Sequence, residues 1–496
     1  MNKTHYTYMK RITFLSAFIV GCVAVAGAQT SDYESMKEKL SDASIPLVNI
    51  VVEIDKVNKP DYTPATVEIA DPLKRTDGKQ TAVFNCKVKY RGASSLSYDK
   101  KSFAVKLLNE KGKSQDAAVL GIREDDAWIL DAMAIDRLRM RNRVNFDVWN
   151  DMSRTPYDTD TDRRNGTKGY FVELFVNGSY HGLYCLTDKV NRKLLGVKKT
   201  KENDDKSVDI KGVMYKCAAW GQASKFRGYE ESSMDQASWN NWELDYPDDH
   251  PCDEAYMPLK NFIDFCSSST DAEFADGLDD NLYLQNFMDY HVFLLAEGLL
   301  DNSMKNCYMS IVDTGKGRRM MVTPWDLDCS LGGYWEGSYN NVLATNDTPL
   351  DVMLYERLWN NNVDDYKNKV ADCWRTLCQT GVLSKEAFDR RVDSYVDELV
   401  ASGAWQREYA KWNGNPVPLK ADLREEAQYV KDWYSRNADH IENDIFGSLG
   451  TSGISAVSVS GKHGDSTGAV YNVMGQRVDN SYRGIVIVDG RKLLRR

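Results

Sequence analysis

The chain lacks a basic excess. Its 496 residues carry 63 Lys and Arg against 73 Asp and Glu, a formal charge of −10 with a pI near 5.3. Without that positive field, non-specific phosphate binding has no electrostatic source, so a DNA or RNA partner is not expected. Cysteines are present but never paired as CxxC: the closest two, Cys373 and Cys378, lie five apart in sequence, which excludes a zinc knuckle or a thioredoxin-type site. Histidine is scarce, with six in all and no HExxH, so zinc-hydrolase chemistry has no support. Beyond residue 28 no apolar run approaches the roughly 20 residues needed to cross a bilayer, and there is no internal repeat or long low-complexity tract. What is present is an ordinary globular composition, 42% hydrophobic, 27% charged and 11% aromatic, enough apolar material for a large core.

The first residues read as an export signal. Lys10 and Arg11 precede an apolar stretch from Ile12 to Val25, and Ala26-Gly27-Ala28 supplies small residues at the spacing of a cleavage site. Residues 1–28 are therefore expected to be removed, taking Lys3, Lys10 and Arg11 with them and leaving a mature chain near −13. A competing possibility is lipidation at Cys22, since Ile19-Val20-Gly21-Cys22 loosely resembles a lipoprotein box. Nine cysteines remain after cleavage. The odd number leaves at least one free thiol, and a core of this size does not require disulfides.

Strand-like alternation dominates from Pro46 to Lys106, with runs at Val48–Ile54, Thr66–Ile69, Ala82–Tyr90 and Phe103–Leu107, and again at Trp128–Leu130. Phe171–Val176, the Asn177-Gly178 turn and Gly182–Leu186 form the clearest hairpin signal. Helical spacing appears at Asp136–Ser153, Leu282–Leu300 and Leu423–Ile445. Two further strands, Tyr308–Val312 and Arg319–Thr323, flank a turn at Gly315-Lys316-Gly317. Strands early and helices late predict an α+β body in two lobes over residues 29–447. A Gly/Ser-rich linker at 448–455 then leads into a small all-β unit at 453–496.

The segment Asp301 to Asp328 is the richest in chemistry. Asp301 stands five residues before Asn306, and a hairpin later comes Trp325-Asp326-Leu327-Asp328. Phosphoryl transfer needs such a set: a carboxylate to orient the attacking hydroxyl, and an amide oxygen with a carboxylate to hold magnesium on the nucleotide phosphates. The spacing matches a protein-kinase catalytic loop, although an Asp-x4-Asn pair alone is also common at helix ends. Arg91-Gly92-Ala93-Ser94-Ser95 could cradle phosphate through backbone N–H groups and the Arg fork, or be a tight turn. Lys106 could reach the same cleft, or belong to a solvated strand face. Arg141 is expected to pair with Asp136. Trp220, Trp239, Trp242, Tyr229 and Tyr246 crowd one segment that is either a sugar-stacking surface or an anchored insertion.

Taken together, Tyr90-Arg91-Gly92-Ala93-Ser94-Ser95, Lys100–Leu107, Trp128 with Asp136, Arg141 and Asn142, Phe175–Tyr184, and Pro324-Trp325-Asp326-Leu327-Asp328 resemble, in order, the motifs of the spore-coat protein H (CotH) kinase-like family. The resemblance spans roughly Val48 to Ile445. It implies an atypical protein-kinase-like fold that uses ATP and magnesium to phosphorylate Ser or Thr hydroxyls of proteins. Carried over residue by residue, Asp301 is the catalytic base, and Asn306 with Asp326 or Asp328 hold the metal. Lys216 meets the nucleotide phosphates, and Asp188 stands where the family has the Glu that would hold that Lys. The tail, Val470–Val478 and Gly484–Leu493, resembles a type IX secretion sorting domain, which implies contact with secretion machinery and release or attachment at the outer cell surface. The alternative function keeps the fold without catalysis: a surface binding or adhesion protein that recognises glycan or protein.

Overall fold

In the computed structural model, the described residues are 31–159, 162–204, 208–315, 317–450, and three tail strands at 470–472, 484–488 and 491–495. The expected export signal at 1–28 and most of the 448–455 linker lie outside them. The class is α+β, as the order of patterns predicts. What the patterns do not reveal is closure. The early strands β1 (Leu47–Val52), β2 (Thr63–Ala70), β3 (Thr81–Arg91), β4 (Ser102–Leu108), β5 (Ala127–Asp131), β6 (Gly169–Val176) and β7 (Ser179–Asp188) form a closed barrel in the order β1-β2-β3-β4-β5-β7-β6. A parallel pairing of β1 with β6, Leu47 opposite Glu173, seals it. Closure removes the unpaired edges that would otherwise template aggregation.

Alternation fills the barrel. Val48, Ile50, Val67, Val88, Phe103, Val105, Trp128, Leu130, Leu174 and Leu186 point inward into one core, while intervening residues such as Lys87, Lys89 and Arg91 on β3 face outward. The Asn177-Gly178 hairpin is as expected, with both residues at positive φ (52° and 80°), the geometry that a two-residue turn between twisted strands requires.

A second sheet carries β8 (Met214–Cys217), β9 (Ser238–Trp239), β10 (Trp242–Tyr246), β11 (Cys307–Asp313) and β12 (Arg318–Pro324) in the order β9-β10-β8-β11-β12. It packs against the helices Asp253–Ser268 and Leu284–Ala296 in a large core that includes Tyr215, Trp242, Leu259, Phe287, Met309, Val322 and Leu327. Trp239 and Trp242 are fully buried there, and Trp242 stacks on Phe226 at 6.1 Å. The aromatic segment is thus anchored by Trp239 and Trp242, while Tyr229 and Tyr246 are partly buried and Trp220 lies at the surface, 36% exposed.

The helix expected from Asp136 begins later, at Arg141, and ends at Met152. Its upstream residues are spent on a tight turn in which Arg139 takes φ 58°, while Asp136 accepts from the Leu138 and Arg141 backbone N–H groups at 2.9 and 2.8 Å. The helices Lys385–Ala401, Ala404–Trp412 and Leu423–His440 close on the barrel through Phe388, Trp405, Val430 and Trp433, in one core with the strand residues Phe171 and Leu183 and with Val144 of the Arg141–Met152 helix. Charge locks this seam. Buried Glu408 accepts from Lys100 at 2.6 Å, Arg139 at 2.8 Å and the Leu183 N–H at 2.8 Å. Burial opposes ionisation of Glu408, but the two adjacent cations reverse the balance and hold its carboxyl below the ordinary range.

All nine described cysteines are free thiols. No described helix is long and apolar enough to cross a membrane. In the tail, Val470–Asn472 pairs with Gly484–Val488 and that strand with Arg491–Arg495, Val488 facing Arg491. The 489–490 turn between them lies outside the described residues.

Candidate functional site

Two loops meet in a cleft between the outer wall of the barrel and the second sheet. The first runs from the end of the Leu284–Ala296 helix to β11 and carries Asp301 and Asn306. The second follows β12 and carries Trp325, Asp326 and Asp328. Buried Asn302 stitches them, its amide donating to the Trp325 carbonyl at 2.8 Å and the Asn306 carbonyl at 3.2 Å, and the Trp325 N–H donates to the Asn306 carbonyl at 2.9 Å. Asn306 and Asp326 both adopt positive φ, 52° and 58°. Backbone strain of this kind persists only where the surroundings fix it, and it gathers at functional sites.

Asp301 is held on both oxygens. Trp220 donates its indole N–H at 3.0 Å to one oxygen, while Lys305 at 2.5 Å and the Asn306 amide at 3.0 Å reach the other. The Asp301–Asn306 contact is the close association that the spacing suggests. Asp326 and Asp328 are treated differently: among the described residues, no hydrogen bond or ion pair reaches either carboxylate. Asp326 opens to the cleft but is walled by protein on most sides. This loss of water, followed by the Asp131 carboxylate, raises its pKa, with Arg91 and Lys216 pulling the other way and Asp301 adding to the rise. Half-buried Asp328 is raised well above the ordinary range by burial, then by Asp326, Asp131 and Asp136.

The barrel supplies the facing wall. Asp131, at the end of β5, accepts from the Asn142 side-chain amide at 3.0 Å, and the side-chain oxygen Oδ1 of Asn142 accepts from the Leu327 N–H at 2.6 Å, which pins the second loop to the barrel. Arg91 lines the same pocket as Asp131, Asn142, Trp325 and Asp326 and stacks over the Trp325 ring at 5.2 Å. The expected Arg141–Asp136 ion pair is present.

Lys216 lies on β8, part-exposed, with its charge acting on Asp326. Its acidic neighbour is not Asp188, as the family pattern implied, but Glu243 on β10, at 3.9 Å. Asp188 is buried and committed elsewhere: Arg123 at 2.9 Å, Arg164 at 2.6 Å and the Lys168 N–H at 2.8 Å saturate it. Two guanidinium groups leave a short Asp side chain no capacity to reach a lysine on another sheet. Lys106 projects from the outer barrel face toward Asp126 at 3.8 Å. Asp131, Lys305 and Glu243 escaped the motif reading. Lys305 had a visible signal, i,i+4 from Asp301, whereas Asp131 and Glu243 enter through the cross-strand registers of β5 and β10.

Among the described residues, the only trio of acids close enough to share an ion is Asp116, Asp125 and Asp126, and these face Lys193, Arg123 and Lys106 respectively. Asp301, Asp326 and Asp328 do not form such a trio.

A family model described as CotH kinase protein matches residues 88–441, more than half of the chain and the whole of the two site loops. No curated protein matches the chain.

Proposed function

The chain belongs to the CotH kinase family, and from that premise we propose that it is a magnesium-dependent phosphotransferase that moves the γ-phosphate of ATP to Ser or Thr hydroxyls of proteins. One observation carries the reading: Asp326 and Asp328 stand in a cleft, with no hydrogen bond or ion pair from any described residue, beside a loop that presents Asp301 and Asn306. Acids left bare beside each other suit a site made for a cation. Asp326, Asp328 and the Asn306 amide oxygen would hold magnesium, which when bound neutralises phosphate charge. Lys216 and Arg91 offer cations to the nucleotide phosphates, and Glu243 steadies Lys216. Asp301, oriented by Trp220 and Lys305, accepts the proton of the acceptor hydroxyl. Lys106 stands at the margin of this set. The barrel and the helical half would then be the two lobes of an atypical kinase-like body.

The same proposal places the mature protein outside the cytoplasm, with residues 1–28 as export signal and the tail as the part that engages secretion machinery, for release or attachment at the cell surface. The test is a calorimetric titration of the purified chain with ATP, with and without magnesium, followed by transfer to a protein acceptor. Saturable, magnesium-dependent binding that weakens at least tenfold in Asp326→Ala is expected. Asp301→Asn is expected to keep ATP affinity and lose about 10²–10⁴-fold in transfer rate. Absence of ATP binding in the wild type overturns the proposal, and binding without any transfer favours the catalytically silent surface protein.

A further inference from the structure

The outer face of β3 carries Lys87, Lys89 and Arg91 at alternate positions, and β4 sets Lys106 directly opposite Lys87. Like charges facing each other across strands destabilise a sheet, so this arrangement has no rationale in stability. The protein is acidic overall, yet among the described residues no ion pair reaches Lys87, Lys89 or Arg91. The ammonium groups of Lys87 and Lys89 instead lie 5.0 and 4.8 Å from the ring centre of Tyr62. That ring holds two lysines on one line while leaving their charges unneutralised. Within the row, the one ion pair among the described residues is Lys106 with Asp126 at 3.8 Å. The row ends in the cleft, because Arg91 is also the residue over Trp325 and beside Asp326.

We propose that this row is the docking surface for an extended acidic segment of the protein substrate, with Asp or Glu at alternate positions beside the acceptor hydroxyl. Lys87 to Arg91 spans roughly 13 Å at the rise of a strand, longer than the cleft loops need for phosphates. Its charges recur every second residue, the same repeat at which an extended peptide presents side chains to one face. The acceptor clause rests on the phosphotransferase reading; the docking does not, since it is read without turnover.

The experiment measures fluorescence anisotropy of three labelled 12-residue peptides on the purified full chain, each with a central Ser and, at alternate positions, Glu, Gln or Lys. The Glu peptide is expected to bind, with affinity falling as salt rises. It is expected to lose at least tenfold in the Lys87→Glu/Lys89→Glu variant and a few-fold in Lys87→Gln/Lys89→Gln. Charge reversal at position 87 faces Lys106 and should hold or raise the melting temperature, so lost binding is separable from lost folding. Equal binding of the Gln or Lys peptide, or an unchanged Glu peptide affinity in the reversal variant, overturns the docking. A variant that loses ATP affinity and keeps the Glu peptide also overturns it, since the row would then serve the nucleotide. If the Glu peptide docks but no phosphate is transferred, the phosphotransferase reading fails while the docking surface stands.

Discussion

Acidic side chains are handled in opposite ways in two parts of this molecule. Along the seam between barrel and C-terminal helices they are paired with cations: Glu408 lies between Lys100 and Arg139, Asp136 meets Arg141, and at the far end of β7 Asp188 lies between Arg123 and Arg164. In the cleft, Asp326 and Asp328 receive no such partner from the described residues; Asp131 raises the cost of ionising both, and Asp326 raises that of Asp328. A buried carboxylate with paired cations holds a fold together, whereas a bare one beside other acids costs stability until a ligand arrives. The first kind marks architecture and the second marks a site.

The largest expected effect breaks the seam. Glu408→Ala leaves Lys100 and Arg139 buried without a counter-charge and the Leu183 N–H without an acceptor. It should destabilise the fold by about 3–5 kcal/mol, measured as a fall in the urea midpoint at unchanged slope. A loss below about 1 kcal/mol would put Glu408 among surface pairs and remove the contrast.

How far the sequence discloses this contrast depends on distance along the chain. The Asp301–Asn306 and Pro324–Asp328 loops are short, local and rich in chemistry, so their residues are legible as a group. The hairpin at Asn177-Gly178 is legible for the same reason, since its turn type follows from two residues. Barrel closure is not, because nothing in either strand alone announces that Leu47 will lie opposite Glu173. The partner of Lys216 is hidden on similar grounds. Glu243 reaches it only through the β8–β10 register, in which the two residues oppose each other. The motif points to Asp188, whose two arginines come from segments before β5 and β6. Asp131 belongs with these: its role depends on Asn142 reaching back from a helix to a strand end.

Glu297 sharpens the comparison because it combines both conditions. It is fully buried, like the seam acids, yet among the described residues neither carboxylate oxygen has a hydrogen-bond partner, like the cleft acids. Burial pushes its pKa up to about 8, only partly offset by Arg391, so the folded protein keeps it protonated where the unfolded chain has lost the proton. The sign follows. A carboxyl raised in the folded state contributes fully below the unfolded value near 4.5, and that contribution drains away as pH climbs toward 8, by at most about 1.4 kcal/mol per pH unit. Glu297→Gln, which cannot titrate, should flatten the decline of stability between pH 5 and 8 seen by chemical denaturation. A variant with the wild-type slope would show that Glu297 finds a cation after all.

The smallest expected effect bears on the cleft itself, and it is opposite in sign to that at the seam. Asp326→Asn removes one of several neighbouring negative charges and breaks no ion pair among the described residues. Relief of like-charge repulsion at a water-exposed position amounts to about 0.5–1 kcal/mol, so the variant should be slightly more stable than wild type without magnesium and nucleotide. Added salt should shrink the difference, since screening weakens the same repulsion in the parent. Saturating magnesium and ATP should then reverse the order: a ligand that binds only the folded state stabilises the wild type by mass action, and the variant, short of one ligand atom with charge, gains little. Both halves can be read in one set of thermal melts. If Asp326→Asn is instead destabilised without ligand, the carboxylate is serving the fold as Glu408 does, and the division between architectural and functional acids fails at its most exposed member.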